Sequence, residues 1–97
     1  MGYQVIFAPQ AIERLEEIVR YIAQNNPRAA EKFGLHLVDR AGLLANFPEL
    51  GRPYRKRGNV RRLWCKPYWI YYRVQRDERI VEVMEFWHSA RREPEIR

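Results

Sequence analysis

Arginine and aromatic side chains are concentrated in the second half of the chain, in three segments whose residues alternate as strands do. These segments are residues 59–65, 68–75 and 79–87. Guanidinium groups pair with phosphates and carboxylates, and aromatic rings stack on bases or on guanidinium groups. The combination predicts a binding or catalytic face built on a sheet.

The middle segment has a two-residue period that divides its side chains between two faces. One set suits packing against helices: Tyr68, Ile70, Tyr72 and Val74. The other set is expected to gather on the second face together with an arginine of the preceding strand: Trp69, Tyr71, Arg73 and Arg62. An antiparallel sheet with helices on one side leaves its other face partly open. We therefore expect these side chains to be accessible to a partner.

The positive charge lies in the same half of the chain. Residues 1–51 hold five Lys or Arg against six Asp or Glu, a net charge of −1, whereas residues 52–97 hold thirteen against six, a net charge of +7. Clustered positive charge repels itself, so an anionic partner is a natural counterpart. A basic surface that serves only solubility has the same composition. Charge alone leaves both interpretations open.

Length and composition exclude several classes of protein. A chain of 97 residues predicts one domain, residues 1–97, with one modest core. No stretch approaches the roughly 18 consecutive apolar residues that a membrane span needs. The N-terminus has no charged segment followed by an apolar run, so we expect no secretory signal and a cytoplasmic protein. A single cysteine, Cys65, and the lack of ligands at recognisable spacing predict neither a metal site nor a cofactor.

Two helices are predicted to support the strands. Residues 3–7 alternate as a strand, and Pro9 suits the first turn of the helix that follows. Apolar residues then recur at helical spacing. Asn26 is the expected N-cap of a second helix, which begins at Pro27 and continues to residues 47–48.

The rest of the chain completes an α+β fold. Residues 48–58 contain two prolines and two glycines, which predict an irregular loop, and its basic run at 55–57 is either solvated or reaches an anionic partner. Short turns between the three later strands predict an antiparallel meander. Both faces of residues 79–87 are apolar, which predicts a central strand covered by the C-terminal tail or by a partner. The predicted order is β-α-α-β-β-β, with a helical hairpin packed on one face of a small, mainly antiparallel sheet.

These residues resemble the RelE/ParE superfamily of toxins from type II toxin-antitoxin modules over nearly the whole chain. The resemblance rests on the order and spacing of short motifs: Val5-x-Phe7-x-Pro9-x-Ala11, Tyr21-Ile22, Phe47-Pro48-x-Leu50-Gly51-Arg52, Val60-Arg61-Arg62-Leu63, Tyr68-x-Ile70-x-Tyr72-Arg73-Val74, and His88 with Arg91-Arg92-x-Pro94. It implies the same β-α-α-β-β-β fold, a role in growth inhibition or plasmid stabilization, and a cognate antitoxin as partner.

The superfamily implies two different activities. The RelE-like branch cleaves messenger RNA in the ribosome without metal: the ribose 2′-OH attacks the adjacent phosphate, and basic side chains hold the developing charge. The ParE-like branch binds DNA gyrase and traps its cleaved-DNA state, which needs a recognition surface and no catalytic group. The residues expected to contact a target or nucleic acid are Arg61, Arg62, Trp69, Tyr71, Arg73, Arg91 and Arg92.

Position 69 departs from the RNA-cleaving pattern, because Trp69 stands where those relatives have an arginine after the strand tyrosine. A reduced nuclease site would consist of Arg62, His88 and Arg91, with His88 either moving protons or capping the sheet through a backbone hydrogen bond. The sequence favours a ParE-like toxin that acts by binding. The alternatives are a ribonuclease with a reduced site and a basic module that stacks single-stranded nucleic acid on Trp69 and Tyr71.

Overall fold

The computed structural model describes residues 2–96. One strand and two helices precede four further strands. The elements are β1 Gln4–Phe7, α1 Pro9–Ala23, α2 Pro27–Gly42, β2 Arg52–Pro53, β3 Val60–Cys65, β4 Tyr68–Gln75 and β5 Ile80–His88, with one 3-10 turn, Leu43–Ala45, after α2. This arrangement confirms the predicted α+β class and the helical hairpin.

The five strands form one sheet in the order β1-β5-β4-β3-β2. β1 pairs in parallel with β5, and the other neighbours are antiparallel. β5 therefore lies inside the sheet, as its two apolar faces predicted. A bulge at Met84 shifts its register, because Tyr72 pairs with Val83 while Tyr71 pairs with Glu85. The extra residue brings both Val83 and Phe86 onto the face that the helices cover.

The helix starts follow local capping chemistry. Pro9 begins α1, where a missing N–H costs nothing, and the side chain of Asn26 accepts a hydrogen bond from the Ala29 N–H at 3.0 Å to cap α2. The helices pack closely: a Cβ on Gly34 would lie 2.9 Å from a Val19 methyl group. Among the described residues, no helix has both the length and the apolar character needed to cross a bilayer.

The main core lies between the helices and the sheet. Its buried side chains are Ala11, Ile18, Leu37, Ala41, Leu44, Leu63, Cys65, Ile70, Tyr72, Val81, Val83 and Phe86. Tyr68 and Val74 pack against its edge, so the predicted helix-facing side of β4 is confirmed. Burial raises the pKa of the Cys65 thiol, which keeps it neutral inside the core.

Two predicted boundaries are wrong. The second helix was expected to continue to residues 47–48, whereas α2 ends at Gly42 and a 3-10 turn carries the chain onward. The tighter turn still buries Leu44 in the core. The predicted irregular loop 48–58 contains β2, which pairs with Arg61 and Arg62 of β3. Pro53 tolerates this pairing because β2 is the edge strand, where a missing N–H leaves no neighbour unpaired.

The segment before β2 is fastened to the sheet by Tyr72. Its hydroxyl donates to the Pro48 carbonyl at 2.8 Å and accepts from the Gly51 N–H at 2.9 Å. A Cβ on Gly51 would lie 2.7 Å from the carbonyl oxygen of Arg62, so only glycine allows this approach. Arg61 donates from the same side to the Gly51 carbonyl at 2.6 Å. Arg61 therefore bonds to the segment before β2, whereas the side chain of its neighbour Arg62 bonds to Tyr71 on the other face of the sheet.

Candidate functional site

The face of the sheet that points away from the helices, here the reverse face, is less open than predicted. A second apolar cluster of Tyr54, Val60, Tyr71 and Ile96 covers its centre. Tyr71 is 0% exposed, and the Tyr54 ring meets it edge-on with centroids 5.1 Å apart. The expectation that Tyr71 is accessible is therefore wrong. The physical reason is that the loop after β2 and the C-terminal tail, residues 89–96, fold over it.

All three tryptophans of the chain lie side by side across the reverse face. Trp64 of β3 is opposite Trp69 of β4, and Trp69 is opposite Trp87 of β5. We call these residues the tryptophan row. The rings of Trp64 and Trp69 have centroids 4.7 Å apart, and Trp64 is 41% exposed. The row is therefore an aromatic surface that a partner can reach beside the covered centre.

Two of the predicted site arginines pack onto this row. The guanidinium carbon of Arg62 lies 3.9 Å from the centre of the Trp69 ring, and that of Arg91 lies 4.1 Å from the Trp87 ring. Both distances are those of cation–π contacts. Arg62 also donates to the Tyr71 hydroxyl at 3.3 Å. Burial raises the pKa of Tyr71, so its hydroxyl stays neutral beside this cation.

The tail supplies an acidic group to the same place. Glu93 lies 2.6 Å from the Lys56 ammonium and 3.8 Å from the Arg62 guanidinium. The hydrogen bond from Lys56 lowers the pKa of Glu93, so the carboxylate is ionised at neutral pH. The indole N–H of Trp87 donates to the Arg92 carbonyl at 2.7 Å. The basic run of loop 48–58 is thus engaged, through Lys56, by the chain's own tail.

His88 and Arg61 lie on the helix-facing side of the sheet. The His88 ring meets the Tyr68 ring edge-on with centroids 5.1 Å apart, and Tyr68 packs against the main core. The Nδ1 atom of His88 accepts a hydrogen bond from the Ala90 N–H at 3.0 Å. A backbone hydrogen bond of this kind is one of the two roles that the sequence leaves open for His88. The sheet separates both residues from Arg62.

The remaining predicted residues lie near the tail. Arg73 stands on the reverse face opposite Glu82, and its buried Nε atom has no hydrogen-bond partner among residues 2–96. Arg92 is exposed. Among residues 2–96, no three His, Cys, Asp or Glu side chains come together in a way that could hold a metal ion. The reverse face carries guanidinium groups, aromatic rings and the Glu93 carboxylate.

A basic cavity at the edge of β3 escaped the sequence-based prediction. It has a volume of about 330 Å³, and its polar lining includes Arg40, Arg52 and Arg62 beside Trp64. Arg52 lies directly opposite Arg62 across β2 and β3. Arg40 reaches the same edge from α2 and donates to the Trp64 carbonyl at 3.2 Å. The residue pattern of α2 did not indicate that Arg40 would line this cavity, because the position of Arg40 depends on how the helix crosses the sheet.

A buried ion pair was also missed. Glu85 is 0% exposed, and its carboxylate accepts from Arg14 Nε at 2.8 Å and from Gln10 at 2.6 Å. The hydrogen bond to Glu85 raises the pKa of Arg14. The Arg14 guanidinium carbon also lies 4.9 Å from the Trp87 ring. The available signal was an acidic residue, Glu85, between the apolar residues Met84 and Phe86 of β5.

The fold is that of a RelE/ParE superfamily toxin, as predicted. The chain belongs to the ParE toxin family of type II toxin-antitoxin systems: the family model described as "ParE toxin of type II toxin-antitoxin system, parDE" matches residues 5–93. Y4kP of Sinorhizobium fredii, a candidate toxin by name, is 33% identical over 88 residues, which are 90% of this chain and 88% of that protein. Toxin RelE2 of Caulobacter vibrioides is 35% identical over 89 residues, 91% of this chain and 97% of that one.

Two solved structures share the fold. A chain of the chromosomal ParDE toxin-antitoxin system from P. aeruginosa superposes with a TM-score of 0.77 at 20% identity, covering 89% of this chain and 95% of that chain. A chain of the toxin-antitoxin complex RelBE2 from Mycobacterium tuberculosis gives a TM-score of 0.69 at 22% identity, with coverage of 91% and 99%. At these identities the likeness establishes the fold alone.

Proposed function

We propose that this toxin acts in the ParE-like way, by binding a bacterial target such as DNA gyrase and thereby inhibiting growth. The observation that carries the proposal is the surroundings of position 69. Trp69 replaces the arginine that the RNA-cleaving pattern would place there, and its ring packs against Arg62 at 3.9 Å. The chain therefore lacks one phosphate-binding cation, and a second cation, Arg62, is held against the Trp69 ring. Both features suit recognition better than phosphate chemistry.

The position of His88 supports the same proposal. Attack by a ribose 2′-OH requires a proton acceptor within hydrogen-bonding distance of the nucleophile, and cations around the same phosphate. His88 lies on the helix-facing side of the sheet with its Nδ1 atom engaged by Ala90, whereas Arg62 lies on the reverse face. The three residues of the reduced nuclease site, Arg62, His88 and Arg91, are therefore divided between two faces.

The surface offered for recognition has the composition of a protein-binding site. Tryptophan and arginine are the side chains that most often dominate the binding energy of protein interfaces. Here the tryptophan row is flanked by Arg62 and Arg91, and the basic cavity at the edge of β3 adds Arg40 and Arg52. We expect these side chains to contact an acidic surface of the target.

A cognate antitoxin is part of the proposal. Both structural neighbours come from toxin-antitoxin pairs, and the net charge of +6 favours an acidic partner. Large apolar side chains are also exposed apart from the tryptophan row: Ile6, Ile12, Tyr21, Leu35, Leu43, Phe47 and Leu50. An acidic amphipathic segment that becomes ordered on binding would cover them and neutralise charge together. Lack of affinity for the product of the neighbouring gene would contradict this pairing.

Inducible expression in a bacterium, with two target readouts, tests the mechanism. We expect growth arrest with gyrase-linked DNA breaks and intact transcripts. The matched variants are Trp69→Ala on the reverse face and His88→Ala on the opposite side. Binding through the reverse face predicts that Trp69→Ala loses toxicity while His88→Ala keeps it. Cut transcripts without DNA damage, abolished by His88→Ala or Arg62→Ala in a folded chain, would instead establish the ribonuclease.

Direct binding of single-stranded nucleic acid is the other candidate, which the exposed tryptophan row favours. The burial of Tyr71 removes one of the two stacking platforms expected for it. Such binding depends steeply on salt, because each phosphate contact releases counterions. Affinity for a single-stranded oligonucleotide that scarcely changes between low and moderate salt would exclude this candidate.

A further inference from the structure

A cavity forms where the start of α1 meets β4 and β5, and none of the three tryptophans lines it. Its volume is about 330 Å³, near the lower end of the range of small-molecule sites. Its lining residues are Ala8, Pro9, Gln10, Arg73, Glu82, Met84, Glu95 and Ile96. Charged groups of both signs stand there beside apolar side chains. The cavity therefore suits a small molecule that is itself charged and partly apolar.

The charged groups of this cavity do not pair with one another. Arg73 is directly opposite Glu82 across β4 and β5, a relationship in which opposite charges normally stabilise a sheet by contact. Among residues 2–96, however, neither Arg73, Glu82 nor Glu95 makes an ion pair. Arg73 Nε is also a buried donor without a partner in that range, which costs stability. A ligand that carries both charges would satisfy the two sides of the cavity together.

The start of α1 adds a second attraction for an anionic group. The helix dipole places partial positive charge at the first turn, where backbone N–H groups lack partners inside the helix. Ala8 is the N-cap, and the first turn of this 15-residue helix holds no acidic residue that would offset the charge. Arg73 and this turn line the same cavity. A carboxylate is therefore favoured near Arg73 and α1, and an ammonium group near Glu82 and Glu95.

We propose that this cavity binds a free α-amino acid with an aliphatic side chain. The carboxylate of the ligand accepts hydrogen bonds from Arg73 and from the first turn of α1, and its ammonium group donates to Glu82 and Glu95. The aliphatic side chain packs against Met84 and Ile96. The site shares no residue with the tryptophan row or with the basic cavity at the edge of β3, so it extends beyond the proposed function.

Titration of the full chain with L-leucine tests the proposal. The chain is labelled with ¹⁵N at arginine, and the Nε–H resonance of Arg73 reports directly on the ligand carboxylate. The Nε–H of Arg40, which already donates to the Trp64 carbonyl, is the internal reference. We expect L-leucine to shift the Arg73 resonance in a saturable way and to leave that of Arg40 unchanged. Absence of a saturable shift up to about 10 mM L-leucine would overturn the proposal, because that concentration exceeds the dissociation constant of about 1 mM or less expected of a specific site.

Two analogues of the ligand test whether the cavity reads both charges. L-leucinamide keeps the ammonium and aliphatic groups but lacks the carboxylate, whereas 4-methylpentanoate keeps the carboxylate and the aliphatic group but lacks the ammonium. Each should bind about tenfold more weakly than L-leucine, because a charged group of the protein loses its partner. Binding of either analogue as tight as that of L-leucine would overturn the assignment of an amino acid.

Two variants test the ammonium side of the site. Glu82→Gln should weaken L-leucine binding about tenfold and leave 4-methylpentanoate binding no weaker. Glu78→Gln is the matched control, because Glu78 is exposed in the turn before β5 and does not line the cavity. Thermal unfolding shows that both variants fold, and L-leucine should raise the midpoint of Glu78→Gln more than that of Glu82→Gln. Equal affinity of the two variants for L-leucine would overturn the proposal.

Discussion

The guanidinium carbon of Arg62 on β3 lies 3.9 Å from the centre of the Trp69 ring on β4, and the two side chains are diagonal neighbours on the reverse face. Diagonal pairs on one face of a sheet are within reach of aromatic and long side chains. Arg62 is therefore held in place by the residue that distinguishes this chain from the RNA-cleaving pattern. The contact between Arg62 and Trp69 therefore stabilises the sheet and also fixes where the Arg62 guanidinium is presented to a target.

A double-mutant cycle measures the strength of this contact. We expect Arg62→Met and Trp69→Leu to show a coupling free energy of about 0.5–1 kcal/mol in urea unfolding, since the pair is partly exposed. The control cycle combines Arg61→Met with Trp69→Leu. Arg61 lies on the other side of the sheet, so its effect should add to that of Trp69→Leu within about 0.5 kcal/mol. Equal coupling in the two cycles would contradict the cation–π contact.

The ion pair between Arg14 and Glu85 predicts unequal costs for its two partners. The Glu85 side chain is 1% exposed and that of Arg14 is 23% exposed. Arg14→Met would leave a buried carboxylate without its cation, at a cost of about 3 kcal/mol. Glu85→Met should cost about 1 kcal/mol, because Arg14 can turn toward solvent and toward Glu17, already 3.1 Å away. Urea unfolding of both variants checks the order, and a larger loss for Glu85→Met would refute it.

Two tyrosines provide a matched pair for hydrogen bonding. Tyr72→Phe removes the bonds to Pro48 and Gly51 and leaves a buried N–H unpaired, so we expect a loss of about 2 kcal/mol in the free energy of unfolding. Tyr54→Phe removes a buried hydroxyl that has no hydrogen-bond partner in the described part of the chain, so stability should change by less than about 0.5 kcal/mol or increase. Similar losses from both substitutions, measured by chemical denaturation, would be inconsistent with these contacts.

Acid should release the tail. The pKa of Glu93 is lowered from its ordinary value of 4.5, chiefly by the hydrogen bond from Lys56. A carboxyl group with a lowered folded-state pKa stabilises the closed tail above its unfolded pKa, and this contribution is lost as the pH falls through the folded value. The Trp87 indole resonance should therefore titrate below pH 4.5.

The corresponding substitutions control for other acidic groups. Glu93→Gln should abolish the titration of the Trp87 indole resonance, and Glu95→Gln should preserve it. A titration that persists in Glu93→Gln would assign the transition to another carboxyl group. The raised pKa of Lys56 keeps that side chain charged throughout the acidic range, so Glu93 alone of this pair changes charge there.

Most of the fold could be predicted because its signals are local. The N-cap at Asn26 and the period of β4 each depend on a few neighbouring residues, and both predictions are confirmed. The prediction failed where local signals are weak. β2 has two residues and forms only because β3 lies beside it. The end of α2 depends on how tightly the chain turns to keep Leu44 in the core.

The sequence by itself determined the elements, the basic character of the second half and the presence of arginines and tryptophans in adjacent strands, since these follow from short-range periods and from composition. Only the tertiary structure decided what covers each face. Tyr71 is buried because Tyr54 and Ile96 close over it, and Glu85 is neutralised by Arg14 from 71 residues away. Such contacts depend on how distant segments meet when the chain closes, and no local period encodes that geometry.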